Sequence, residues 1–180
     1  MSKFNEFLCK SENLRKGYSN SLEVVDVNYK KKWLEYFEKD IPIFFEDIYS
    51  ICNGTKGDIS EQVFFDFIPG YRLMQVDEIL TIYEERFKGL MDNRIIIPFL
   101  TDYSGCYYAY TVNEKKEGIV LVSNERIELI HSEIKDFWNT IIAFYDEKVY
   151  FLDEEGYLSY DFDKEGEIGK KYNEGVEYWE

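Results

Sequence analysis

The chain has 180 residues, 45% of them hydrophobic and 18% aromatic, and a formal net charge of −15. That length and composition fit one domain with a substantial core, and the acidity opposes nucleic acid and anionic lipid as partners. No run approaches the roughly 18 apolar residues of a membrane span, and Met1–Gly17 lacks the unbroken apolar stretch of a secretory signal, so a cytoplasmic protein is expected.

Residues 1–27 are weakly patterned, with Phe4, Phe7 and Leu8 on one helical turn, and read as a lightly docked N-terminal arm. From Asn28, the spacing of Tyr29, Trp33, Tyr36 and Phe37 predicts an amphipathic helix. A second helix follows, opened by Pro42, lined by Phe44, Phe45, Ile48, Ile51 and Cys52, and closed by Asn53-Gly54. Val63–Ile68 then reads as a strand, Pro69-Gly70 as a turn and Tyr71–Met74 as a second strand. Val76–Phe87 is predicted helical, with Asp77 and Glu78 complementing the dipole of its first turn.

The stretch Arg94–Val112 is the centre of the pattern. Ile95, Ile96 and Ile97 leave no polar position, which predicts a strand covered on both faces. A polar turn ending at Gly105 leads to the aromatic strand Cys106–Val112, so the pair reads as a hairpin. Gly118–Val122 and Ile127–Ile130 add strands. Ser132 reads as the cap of the clearest helix, whose stripe is Ile134, Phe137, Trp138, Ile141, Ile142 and Tyr145. In the tail, Val149–Leu152 and Tyr157–Asp161 flank Glu154-Glu155-Gly156 as a hairpin. The order predicts an α+β fold with a largely antiparallel central sheet, helices packed on it and a C-terminal hairpin extension. The expected division is 1–27 arm, 28–145 core domain and 146–180 acidic extension.

Charge is uneven along these segments. Residues 1–40 carry 8 basic and 7 acidic side chains, residues 41–145 carry 9 and 17, and residues 146–180 carry 4 and 12. Such a field attracts a basic partner and speeds the encounter, although acidity of this kind also serves solubility alone.

Catalytic patterns are sparse. Cys9, Cys52 and Cys106 have neither disulfide nor metal spacing and read as buried free thiols. His131 has no nucleophile or ligand at a matching interval and reads as a capping or surface residue. Neither phosphate-cradling glycine pattern occurs. Asp161–Ile168 matches a calcium loop at its first, third, sixth and eighth positions, but Tyr172 stands where a bidentate Glu belongs. A solvated acidic turn is therefore expected. No enzyme, metal or cofactor is predicted.

Four pieces in this order resemble the SUKH superfamily, which includes a yeast regulator of cell-wall synthesis and bacterial immunity proteins. They are Ile41-Pro42 through Phe44-Phe45 to Cys52-Asn53-Gly54; Tyr71–Met74 leading to Val76–Ile79; Ile97-Pro98 leading to Ser104-Gly105 and Tyr107–Tyr110; and Gly118–Val120 with Ile134–Ile142. The likeness covers about residues 28–145. Ser104-Gly105 departs from the two glycines frequent there, and the tail after Tyr145 lies outside the common core. The resemblance implies a SUKH-like fold and binding without catalysis. The chain would be an intracellular immunity protein that neutralises a cognate toxin, of basic nuclease type, by protein–protein contact. The alternative is a non-catalytic regulatory or scaffold module. A monomer or weak homodimer is expected, with the partner-binding surface at Asp58, Asp66, Asp102, Tyr103 and Glu125 in or beside strand-connecting loops.

Overall fold

A computed structural model describes residues 2–37, 40–91, 94–113, 116–124 and 126–180. Its sheet is a five-stranded antiparallel meander of β1 (Arg72–Leu73), β2 (Ile95–Thr101), β3 (Tyr107–Asn113), β4 (Lys116–Ser123) and β5 (Arg126–His131), paired in that order. The helices are α1 (Lys3–Leu14), α2 (Tyr29–Phe37), α3 (Ile43–Tyr49), α4 (Gln62–Phe65), α5 (Val76–Ile82), α6 (Ile134–Asp146) and α7 (Phe162–Tyr172). A separate hairpin joins β6 (Tyr150–Leu152) to β7 (Leu158–Tyr160). The α+β class, the antiparallel sheet and the C-terminal hairpin agree with the sequence reading.

The β2–β3 pair is the hub. Ile96 and Ile97 are buried and Ile95 is half-buried. The register shifts between Pro98 and Leu100, and the extra residue, Phe99, packs its ring 4.9 Å from Phe44 and 5.6 Å from Phe137. A bulge beside a proline is physically consistent, because proline has no N–H for the ladder. Along β3 the side chains alternate. Tyr110 meets Phe45 at 5.4 Å, while Tyr107, on the opposite face, meets Phe87 at 5.3 Å.

Asn53-Gly54 ties the helices to this sheet. Asn53 Oδ1 accepts the Val76 N–H at 3.0 Å and so caps α5. Gly54 has φ +78°, and a Cβ there would stand 2.5 Å from the Met74 carbonyl oxygen. Helix α5 continues into a π-helical turn, Tyr83–Phe87. The N-cap position of α6 is Glu133 rather than Ser132, whose hydroxyl reaches Asp136 instead.

Residues 1–27 are no lightly docked arm. Ser2 caps α1, and Phe4 and Phe7 are fully buried, with Phe7 stacked 4.2 Å from Phe67 and tilted against Trp138 at 6.3 Å. Each such ring contributes roughly 1.5–3 kcal/mol on burial. One hydrophobic cluster runs from Phe4 to Leu158, so the three expected divisions share a core.

Arg15 overturns the strand expected at Val63–Ile68. It is 2% exposed, and its guanidinium donates to the carbonyls of Val63 (2.9 Å), Phe67 (2.8 Å) and Asp66. Its Nε donates to Ser11 Oγ at 2.8 Å, and it lies 3.7 Å from the Tyr18 ring centroid. Those carbonyls turn towards one buried cation instead of a sheet neighbour. The segment accordingly forms the single turn α4, and only Ile68 bridges to Tyr71.

Three smaller expectations also change. Asp161–Ile168 is not a turn: Asp161 accepts the Lys164 N–H as N-cap of α7, and Ile168 lies within that helix. His131 is 2% exposed at the end of β5, where its Nδ1 pairs with Asn173 Oδ1 at 2.6 Å. Of the free thiols only Cys52 is buried; Cys9 is exposed and Cys106 half-buried.

Candidate functional site

The β2–β3 turn is built around Asp102. Its carboxylate accepts the backbone N–H groups of Ser104 (2.9 Å) and Cys106 (2.7 Å), and Gly105 closes the turn at φ +89°. Burial pushes the Asp102 carboxyl up, but the hydrogen bonds from Ser104 and Cys106 outweigh it and hold the group below its usual range. The turn projects Tyr103, 71% exposed, whose ring stacks 5.7 Å from Phe65. Its hydroxyl donates to Asp66 Oδ1 at 3.2 Å. Arg72 lies 5.7 Å from the centroid of the same Phe65 ring and forms a two-bond ion pair with Glu78.

Asp66 belongs to the interior. It is 0% exposed, and its other oxygen accepts from Gln62 Nε2 and the Gly70 N–H, both at 2.7 Å. Burial raises its pKa against the pull of those donors and of Arg15. It cannot touch a partner, which corrects the sequence reading. Its role is to hold the 66–70 turn and anchor Tyr103. The structure therefore unites Asp66, Asp102 and Tyr103 at one corner. Asp58 is exposed on another loop and hydrogen-bonds to none of them; Glu125 lies outside the described residues.

A larger surface with the anticipated chemistry lies in the tail. Between Val149 and Asp163 there are five carboxylates, Asp153, Glu154, Glu155, Asp161 and Asp163, and no basic residue. Phe151 pairs across the hairpin with Ser159, on the side opposite Tyr150 and Tyr160. Phe151, Tyr157 and Phe162 are 38%, 49% and 75% exposed. The sequence reading treats the hairpin as an appendage and does not single out these rings among acids. The available signal was its strand alternation combined with its lack of basic residues.

Behind the hairpin lies a cavity of about 160 Å³. Tyr71, Tyr108, Tyr150, Tyr160 and Tyr178 line it together with Glu165. His131 and Trp179 also face it, the latter held by its Nε1–H donated to the Ile130 carbonyl at 2.7 Å. Burial alone raises the Glu165 carboxyl to about 7. Burial lowers His131 to about 4, so its ring is neutral near pH 7.

Among the described residues no group of three or more His, Cys, Asp or Glu side chains is placed to hold a metal ion, and no helix is long and apolar enough to cross a membrane. Compared with models of known protein families and with curated proteins, the chain matches none.

Proposed function

We propose that the protein is an intracellular immunity protein: a binding module without catalysis that covers and inactivates a basic toxin domain. One observation carries the reading. The outer hairpin and the start of α7 present Phe151, Tyr157 and Phe162 among five carboxylates, of which only Asp161 is paired with a cation, Lys164, among the described residues. Exposed rings supply the desolvated centre on which protein interfaces depend. The surrounding carboxylates steer a basic partner and reject acidic ones. The net charge of −15 extends that field over the molecule, and the resemblance to immunity proteins in the order of the core segments supports the same use. Tyr103, on its own corner, offers a second aromatic contact.

The test is co-expression with the toxin domain encoded by the neighbouring reading frame. A complex should form, protect the cell, and associate more slowly as salt rises. Replacing Tyr157 and Phe162 by Ala should weaken it by roughly 2 kcal/mol or more if they form the hot spot. Absence of both complex and protection would sink the proposal. A different protein co-purifying without protection would instead favour the regulatory or scaffold module.

A further inference from the structure

The tyrosine cavity holds polar groups that protein contact at the outer face leaves unused. Among the described residues, the hydroxyls of Tyr71, Tyr108, Tyr150, Tyr160 and Tyr178 have no hydrogen-bond partner in the protein, nor has the Glu165 carboxylate or His131 Nε2. Among the described residues, the sealed, unpaired side-chain atoms lie elsewhere, at Tyr18, Tyr29 and Thr111. The cavity groups instead open on shared space. Tyr150 and His131, 4% and 2% exposed, form its deep wall, and Tyr160 and Tyr178, 41% and 43% exposed, its rim. The charge of Glu165 is felt by Tyr108, Tyr150, Tyr160 and Tyr178 alike, so these groups converge.

What is missing is a cation. No Lys or Arg lines the cavity, and Glu165 enters no ion pair among the described residues. Glu165 is half-buried, and its ionised form gives up water contacts there without a counter-charge. An anion would meet Glu165 in a strongly acidic protein. A neutral polyol would satisfy hydroxyls and leave the charge uncompensated. A hard metal ion is held by a shell of several oxygen ligands, and among the described residues no group of three or more His, Cys, Asp or Glu side chains forms one there. An ammonium ion supplies the charge, donates N–H bonds to the carboxylate and phenol oxygens, and is attracted to aromatic faces. Cavities of about 150 Å³ accommodate benzene, so a short alkylamine fits this volume.

We infer that the cavity between β3, the β6–β7 hairpin and α7 binds a small primary ammonium group. Its nitrogen donates to Glu165 and the tyrosine oxygens, and its carbon stem lies against Ile141, Phe144 and Trp179. The inference does not rest on the toxin-binding reading and stands or falls without it.

The probe is n-butylammonium chloride, titrated calorimetrically into the full chain, with n-butanol as its neutral counterpart. Saturable binding of the cation is expected, at least tenfold tighter than the alcohol. Affinity should rise roughly tenfold from pH 6 to pH 8 as Glu165 ionises, with His131 neutral and the tyrosines protonated throughout. Glu165→Gln should weaken binding more than tenfold, and Tyr178→Phe at the rim should weaken it while leaving the core intact. Glu154→Gln, on the outer hairpin, should not change it. Equal binding of n-butanol, an unchanged Glu165→Gln variant, or no saturation at pH 8 overturns the assignment. Equal binding of tetramethylammonium, which has no N–H, overturns it as well. The tripeptide Gly-Lys-Gly separates two sources of the group. Binding as tight as butylammonium supports a lysine side chain of another protein, and binding tenfold weaker supports a free amine.

Discussion

Replacing Arg15 by Met tests whether one buried cation shapes the segment before the sheet. Methionine keeps much of the apolar stem but donates nothing. The carbonyls of Val63, Asp66 and Phe67 lose their side-chain donor together, and Ser11 Oγ loses its Nε–H contact. A buried acceptor left unpaired costs about 1–3 kcal/mol. Relaxation of the short α4 segment keeps the total below the simple sum, near the roughly 3–5 kcal/mol typical of breaking a buried charged network. Asp66 also loses the nearby positive charge that holds its raised pKa down. Against a typical total stability of about 5–15 kcal/mol, that is a large fraction. Urea unfolding at pH 7, followed by tryptophan fluorescence, should show the midpoint falling with an unchanged slope. Arg15→Lys keeps the charge but not the planar fork, and should recover only part of the loss. An Arg15→Met protein within about 1 kcal/mol of the wild type would show that the three carbonyls find other donors, and the account of the misread strand would fail.

Two glycines of α7 should respond oppositely to alanine. At Gly166 a Cβ meets nothing within 4 Å, and at Gly169 it would lie 2.0 Å from the Trp179 ring; thermal unfolding should show Gly166→Ala gaining up to about 1 kcal/mol and Gly169→Ala losing about 1–3 kcal/mol. The pH dependence of stability should expose two opposed groups. Between pH 6.5 and 4 the unfolded chain takes up a proton that buried His131 refuses, so acidification destabilises; Glu165, raised to about 7, takes its proton first in the folded state, so acidification stabilises. The wild type should therefore vary little across that window and Glu165→Gln should lose stability steeply on acidification, whereas parallel profiles would refute the opposition. On the outer hairpin, Glu154→Lys with Glu155→Lys should leave the unfolding midpoint nearly unchanged, because both side chains are exposed, yet slow association with a basic partner in stopped-flow mixing.

Most of the fold was legible because it is written in local periodicity. The stripe from Ile134 to Tyr145 and the run Ile95–Ile97 announce a helix on a sheet and a covered strand whatever surrounds them. Val63–Ile68 was misread because its β-rich composition is overridden by Arg15, 48 residues before Val63, and no local pattern reports such a partner. His131 was misplaced for a related reason. Its burial depends on Asn173, 42 residues further on. A carboxylate beside Pro69-Gly70 reads as a surface loop residue; what draws Asp66 inward is the Gly70 N–H, Gln62 and the charge of Arg15.

The tail shows why the candidate surfaces were harder to see than the fold. Its strands are three residues long, too short for periodicity to distinguish an outer from an inner face. In three dimensions that alternation separates two chemistries. Phe151 and Tyr157 face outward among acids, while Tyr150 and Glu165 face the cavity with Tyr108 from the sheet and Tyr178 from the C-terminal 3-10 turn, Glu177–Trp179. These four groups come from four different elements, so no interval in the sequence marks the cavity; the abundance of tyrosine, 16 in the chain, is the signal of a use beyond the core. The same short segment thus backs both surfaces. A cation against Glu165 would relieve charge within the element that carries Phe162, and a basic protein on the outer face would meet the same local field from the other side. The two binding events are therefore expected to be linked, and thermodynamic reciprocity requires each to change the other's affinity by one common factor.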